Sequence, residues 1–397
     1  MEFTFQPKTK NILLGLTVVG LVLTIVGFVT DHTDHHARSW TNVLISGFYF
    51  FGMALAATFF IALNYAAQAG WATVVKRVFE AVSAYLPVGS LILVIFFLAG
   101  TFHMHHVYHW MDAEVHDPNS EHYDALIAGK GAYLNNAFFW VRALLYLFIW
   151  NYCRHLFRKR SLEEDMNGGL SYHKKNITLS VLFIAFFAVT SSTSSWDWLM
   201  SIDTHWFSTL FGWYTFSGIW ISGTVAVTLF VLYLKSKGHL KEVNDNHLHD
   251  LGKWIFAISF LWSYLWFSQF MLIWYSDIPE EVTYYVTRFD DYRGLFLGMM
   301  AVNLVFPMLL LMSRDAKRKP YMLWFVGLIL IVTHWLDIYI MTMPGAVGEE
   351  YGFGLPEIGM FVFTGSLFVF TVLRAVSKAP LITKNHPYLE ESIHLHT

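Results

Sequence analysis

The sequence predicts an all-α integral membrane protein with about ten transmembrane helices, and three observations carry that prediction. Of its 397 residues, 55% are hydrophobic and 14% charged, against about 25% charged in ordinary soluble domains. Apolar runs as long as the roughly 20 residues a spanning helix needs recur from near the N-terminus to about residue 375. No long strand pattern is present, and a backbone amide in lipid must be bonded within its own segment, so the spans are helices and the whole chain belongs in a bilayer.

In chain order the expected spans are residues 11–30, 40–68, 80–103, 136–153, 176–195, 209–234, 254–275, 294–313, 321–343 and 358–376. The first follows Lys8 and Lys10 and leads into Asp31-His32-Thr33-Asp34 without a small-residue cleavage pattern. It reads as a retained signal-anchor. The second is long enough to tilt or to extend past the membrane. The third ends among His103, His105, His106 and His109, the fourth carries Arg142, the fifth ends in a hydroxyl run, and the ninth contains His334 and Asp337. The largest pieces outside the spans, 101–135 and 154–175, are too short for a domain.

Orientation follows from the basic residues, which short cytoplasmic loops retain. With the N-terminus inside, 21 of the 26 Lys and Arg residues fall on the inner side. Arg38, Lys130, Arg142, Arg288 and Arg293 are the remaining five. An even number of spans with both termini cytoplasmic is expected, because one span more or fewer puts half of the basic loops on the wrong side.

Composition also excludes function classes. A net charge of −3 offers no basic field for nucleic acid. The single cysteine, Cys153, excludes an internal disulfide, a four-thiolate iron–sulfur cluster and a covalent haem motif. Any electron chemistry therefore has most of its centres elsewhere.

Polar residues inside spans are the best functional pointers, since each costs several kcal/mol unless it faces a partner or water. Four outward-going helices end with an aromatic near an acid: Trp110-Met111-Asp112, Trp196-Asp197-Trp198, Trp274-Tyr275-Ser276-Asp277 and Trp335-Leu336-Asp337. An aromatic belt before an acidic loop accounts for Asp112, whereas apolar residues continue past Asp197 and Asp337. The spacing is compatible with two four-helix repeats in parallel orientation. His334 and Asp337 share a helical face at i, i+3, as a proton-holding pair or as a structural hydrogen bond. Arg142, roughly 10 Å below the outer end of its helix, requires an acid, and Asp197 and Asp277 are the candidates. The run Thr190 to Ser195, with Ser191 and Ser194, either packs helices closely or holds water leading to Asp197.

The outer histidines raise the question of a metal. His32-x-x-His35-His36 has the form of a box used by membrane di-iron desaturases, but the other close pair, His247 and His249, falls on the opposite side. A bis-histidine haem lacks a partner for His334. Solvated loop histidines are the default, with a surface zinc or copper site as the alternative.

With these motifs in place, the chain resembles the ActF-type membrane subunit of alternative complex III, the bacterial quinol:electron acceptor oxidoreductase, and more distantly the NrfD/PsrC-like family. The resemblance rests on the segments Ser194-Ser195-Trp196-Asp197-Trp198-Leu199-Met200-Ser201-Ile202-Asp203-Thr204-His205-Trp206-Phe207, Leu272-Ile273-Trp274-Tyr275-Ser276-Asp277-Ile278-Pro279-Glu280-Glu281 and His334-Trp335-Leu336-Asp337. It implies two four-helix bundles plus two flanking helices, which divides the chain into 1–39, 40–207, 208–343 and 344–397. It further implies a place in the bacterial inner membrane and a set of partners. These are a sister NrfD-like quinol-binding subunit, an iron–sulfur subunit, a multihaem cytochrome c subunit, small membrane subunits and a terminal cytochrome oxidase.

On this reading the chain binds no cofactor and no metal of its own and has no catalytic residue. Haem c and iron–sulfur clusters sit in the partners, and menaquinone or ubiquinone in the complex. The chain is then a scaffold and proton-conducting subunit, with a path through Asp197, Asp203, His334 and Asp337, helped by Ser191 and Ser194. Arg142 serves as gate or counter-ion, and Asp277 is its other possible charge partner. The competing readings are a second quinone-binding subunit and a stand-alone secondary transporter. The lack of Gly/Pro-broken helices at matched positions argues against the transporter.

Overall fold

Twelve helices of eight or more residues organise residues 3–396, the part of the chain described by a computed structural model, and no strand occurs among those residues. They are α1 (Pro7–Val29), α2 (Ala37–Ala66), α3 (Lys76–Ser83), α4 (Leu86–Thr101), α5 (Asn136–Asn167), α6 (Leu170–Trp198), α7 (Leu210–Ser236), α8 (Asp245–Ser276), α9 (Pro279–Asp290), α10 (Arg293–Leu310), α11 (Pro320–Val347) and α12 (Leu355–Val376). Among the described residues nine segments are long and apolar enough to cross a membrane, α3 and α4 together forming one of them. All ten expected spans are helical. The one outside the nine is α5, where Arg142, Asn136 and Asn151 dilute the apolar run and Arg154, Arg158, Lys159 and Arg160 follow it.

Helix ends depart from the apolar runs because other forces set them. Residues 154–175, expected as an inner loop, instead continue α5 and begin α6. The chain reverses only at Gly168 and Gly169, whose φ values of +67° and +83° suit glycine alone. At 32 residues, α5 and α8 are each about 48 Å long, well beyond the roughly 30 Å of hydrocarbon.

The interior is organised around α2, whose spanning window is entirely buried. It packs on α4, α6, α7, α11 and α12. It crosses α7 closely: a Cβ at Gly223 would stand 2.7 Å from the Ala56 Cβ and 2.9 Å from the Met53 carbonyl. Residues 40–207 and 208–343 therefore share one continuous packed interface through α2. By contrast, α1 exposes Ile12, Val18, Val22 and Ile25, the surface a lipid-facing helix presents. Its narrow buried stripe of Leu13, Gly20, Thr24 and Gly27 meets α12, with Gly20 and Gly359 at the points of closest backbone approach. Near the start of α12, Glu357 accepts both arms of Arg38 at 2.8 Å and the Asn42 amide at 2.9 Å.

Interruptions exist within spans: α3 and α4 are separated at Ala84 and Tyr85, and Pro307 and Pro344 lie inside α10 and α11. Beyond α12 the C-terminal residues fold back over the helix ends near Trp71 and Glu164. There the Ser392 hydroxyl donates to the Trp71 carbonyl and the Asn385 amide to the carbonyls of Glu164 and Asp165.

Candidate functional site

Three acid clusters, two of them buried, hold most of the residues singled out in the sequence. The first joins α5 to the end of α6. Arg142 donates from Nε to Asp197 Oδ2 at 2.8 Å and from Nη2 to Oδ1 at 2.9 Å, a two-point fork, and its Nη1 donates to the Tyr133 carbonyl at 3.1 Å. The guanidinium lies 3.9 Å from the Tyr133 ring centroid and 4.2 Å from that of Phe138. Asp197 is wholly buried. Of the two acids considered for Arg142, Asp197 is the partner; Asp277 ends α8 in a left-handed conformation and is exposed.

The hydroxyls preceding Asp197 turn back on their own helix. Ser194 donates to the Ser191 carbonyl at 3.1 Å and Ser195 to the Ser192 carbonyl at 2.7 Å, while Thr190 donates to Phe186 and accepts the Trp150 indole N–H. Ser191 is half-buried. At Ser192 the side chain touches Gly212, so this part of the run brings α6 and α7 together. The retained hydroxyl lone pairs leave acceptors along the same face.

The second cluster lies within α11. Asp337 accepts the Tyr214 hydroxyl of α7 and, at 2.8 Å, the Trp262 indole N–H of α8. His334 Nδ1 stands 3.8 Å from Asp337 Oδ2, and both residues are buried. The Trp262 ring meets the His334 imidazole edge-on at 5.3 Å. Neither His334 nitrogen has a hydrogen-bond partner among the described residues. A buried imidazole in that condition is the kind of site that an ordered water commonly satisfies.

Asp203 belongs to a third cluster. Arg288 of α9 approaches it at 3.2 Å and also donates to the carbonyls of Ile340, Tyr284 and Met341 at 3.0, 2.8 and 2.9 Å. Its guanidinium lies 3.3 Å from the Tyr284 ring centroid, and Tyr284 stacks on Trp206 at 3.9 Å. Asp203 is 24% exposed and borders a cavity of about 620 Å³, together with Asp124, His205, Glu280 and Tyr284. His205 Nε2 is 2.6 Å from Asp124 Oδ2 at this mouth. The four path residues thus fall into separate clusters: no hydrogen bond or ion pair among the described residues links Asp197 to Asp203, His334 or Asp337.

Sequence reasoning passes over Arg288 and a network that joins α3 to the last turns of α5. It treats Lys76 and Arg77 as topology-setting loop charges, yet both are buried. Arg77 donates to Glu80 at 2.7 Å and pairs with Asp165, Arg158 pairs with Glu80, and Lys76 lies 3.5 Å from Glu164. The available clue is their spacing, since Arg77 and Glu80 share a face at i, i+3. Along α6 the buried polar residues His173, Asn176, Ser180, Thr190, Ser194 and Asp197 lie on one face, interrupted by Phe183 and Phe187. Those two rings stack at 5.6 Å.

An apolar cavity of about 350 Å³ opens between α1, α2, α7, α11 and α12, lined by residues including Phe50, Met53, Tyr233, Trp324 and Phe368. None of the path residues lines it. Compared with family models and with curated proteins, the chain matches none.

Proposed function

We propose that this chain is a membrane subunit of a bacterial respiratory quinol oxidoreductase of the alternative complex III type, scaffolding its redox partners and conducting protons. On this reading it crosses the inner membrane ten times, with α5 as the tenth span, both termini cytoplasmic, and 40–207 and 208–343 as its two four-helix units. Haem c and iron–sulfur clusters belong to partner subunits. Menaquinone or ubiquinone is oxidised beside the sister subunit, and its two protons per two electrons are the cargo.

The observation that carries the reading is the His334–Asp337 group. A carboxylate and an imidazole lie 3.8 Å apart deep in α11, and the imidazole has both nitrogens unpartnered among the described residues. A purely structural pair satisfies its polar atoms, whereas a relay needs a site that gains and loses a proton. Tyr214, on Asp337, offers a hydroxyl for the next step. The Asp203 cavity supplies an aqueous end.

A second quinone site has one observation in its favour, the apolar cavity beside Phe50 and Phe368, whose size suits a prenyl or acyl chain. Photo-crosslinking with a quinone analogue bearing an azide on its tail separates that reading from the first.

The test of the main reading is Asp337→Asn, compared with Asp337→Glu, in the assembled complex reconstituted in vesicles. Asn keeps the shape and removes the titrating group. Proton release coupled to quinol oxidation falls at least about 10-fold for Asn, consistent with the loss of one relay group, and Glu recovers most of it. Wild-type proton release by a fully assembled Asp337→Asn complex overturns the assignment.

A further inference from the structure

Beyond the acid clusters, the end of the molecule that carries few basic residues holds a compact group of nitrogen and oxygen donors. Helix α4 stops at Thr101, and the chain passes through His103 with φ of +55°, a left-handed turn that brings the imidazole back toward the 3-10 turn at residues 109–111. His103 Nδ1 lies 3.2 Å from Asp112 Oδ1, and His106 Nδ1 lies 2.8 Å from Oδ1 and 2.9 Å from Oδ2 of the same carboxylate. One ligand atom from each of the three residues falls within 4.8 Å of the other two.

These separations are those of a coordination shell. Bond lengths of about 2.0–2.1 Å for Zn–N and Zn–O in a tetrahedron place neighbouring ligand atoms about 3.3 Å apart. Two edges of the triangle already have that size, and the third needs only a modest contraction. The ring of His35, from the loop between α1 and α2, packs on the His106 ring at 4.3 Å and limits its rotation. The carboxylate is 22% exposed and the two imidazoles 51% and 32%, so an ion has an entry path from solution. A cavity of about 480 Å³ in front of them is lined further by His109, Glu114 and His122, room for a water as fourth ligand.

From this geometry we propose that His103, His106 and Asp112 form a binding site for a divalent transition metal ion, Zn²⁺ or Cu²⁺, with the fourth position taken by water. The donor set decides the class of ion. Two imidazoles and one carboxylate suit Zn²⁺, Cu²⁺ and Ni²⁺, whereas Mg²⁺ and Ca²⁺ demand an oxygen shell. Tyr108, inside the same loop, donates to the Trp198 carbonyl at 2.7 Å, one residue from Asp197. A bound ion would thus steady the loop that meets the end of α6 beside Asp197. The site itself does not depend on the proton-path reading.

The test uses the full-length chain in detergent, titrated with Cu²⁺ and followed by electron paramagnetic resonance, with Zn²⁺ as competitor. One Cu²⁺ per chain is expected, with nitrogen hyperfine splitting, displaced by Zn²⁺ and not by Mg²⁺. The double variant His103→Ala/His106→Ala binds at least about 10-fold more weakly and loses the nitrogen coupling, while His394→Ala, at the far end of the chain, stays within about 2-fold. Asp112→Asn keeps both rings and packing, weakens binding by a similar factor, and decides the question if the double variant misfolds. Unchanged affinity in Asp112→Asn, or a wild-type spectrum without nitrogen coupling, overturns the proposal.

Discussion

A double-mutant cycle on Arg142 and Asp197 asks whether the fork between α5 and α6 acts as one energetic unit. Arg142→Met fills much of the same volume but strips a wholly buried carboxylate of both charge-assisted hydrogen bonds, made at 2.8 and 2.9 Å. Leaving one member of such a pair uncompensated costs about 3–5 kcal/mol. Asp197→Leu strands the guanidinium instead. There the Tyr133 carbonyl at 3.1 Å and two ring faces within 4.2 Å retain part of the compensation, so the lower end of that range, about 3 kcal/mol, is expected. The double variant removes both charges together and should cost under about 2 kcal/mol, because apolar replacements of a buried pair are often near neutral. The coupling energy is then about 4 kcal/mol or more, above the usual range for neighbouring residues. Unfolding of the purified chain in a series of SDS–detergent mixtures, followed by tryptophan fluorescence, measures all four corners. Costs that add within about 0.5 kcal/mol would refute the claim that the fork holds the start of α5 and the end of α6 together.

Two further outcomes follow from the ends of the molecule. Burial, reinforced by the Lys76 charge, pushes His386 down to about 2, so the undocked tail binds a proton that the docked tail excludes. Docking is therefore at full strength above about pH 6.5 and loses about 1.4 kcal/mol for each pH unit below it. Hydrogen-exchange protection at residues 384–392, taken relative to the intrinsic amide rate at each pH, should fall about 10-fold between pH 7.5 and 5.5 in the wild type and stay flat in His386→Phe; equal behaviour of the two excludes His386 as the cause. For topology, Glu121→Cys and Lys159→Cys should label from opposite faces of sealed vesicles, against a low background from the buried Cys153; labelling from one face overturns the ten-span arrangement.

The helices are legible in the sequence because the bilayer imposes a length on every apolar run. Their ends are less so, since α5 and α6 stop where Gly168 and Gly169 allow the chain to turn rather than where hydropathy falls. Arg142 reads as a buried cation in need of an acid because it interrupts an apolar segment, and Asp197 meets that need. Arg288 gives no such sign. It lies on α9, a 12-residue helix between spans with three acids and a plainly polar face, so its burial under Tyr284 is decided by tertiary packing alone. The network around Lys76 and Arg77 is hidden for a related reason. Lys76 and Arg77 satisfy the expectation of cytoplasmic positive charge, and a residue that already has one explanation gives no local sign of a second.

The clusters also differ in what they can do with a proton. To protonate, Asp197 must give up two hydrogen bonds from a cation that has few alternative acceptors nearby, and each such bond is worth about 1.5–3 kcal/mol. That geometry suits a lock better than a relay. Asp337 is held by two neutral donors, Tyr214 and Trp262, and faces an imidazole whose nitrogens are free among the described residues. Moving a proton between His334 and Asp337 breaks no ion pair with a permanent cation. The stacked Phe183 and Phe187, which separate the lower polar face of α6 from its upper one, work the same way by interrupting a polar line through α6. On the proposed function, proton movement belongs to α11 and its neighbours α7 and α8, while the Arg142–Asp197 fork ties α5 to α6, the helix on which α7 packs.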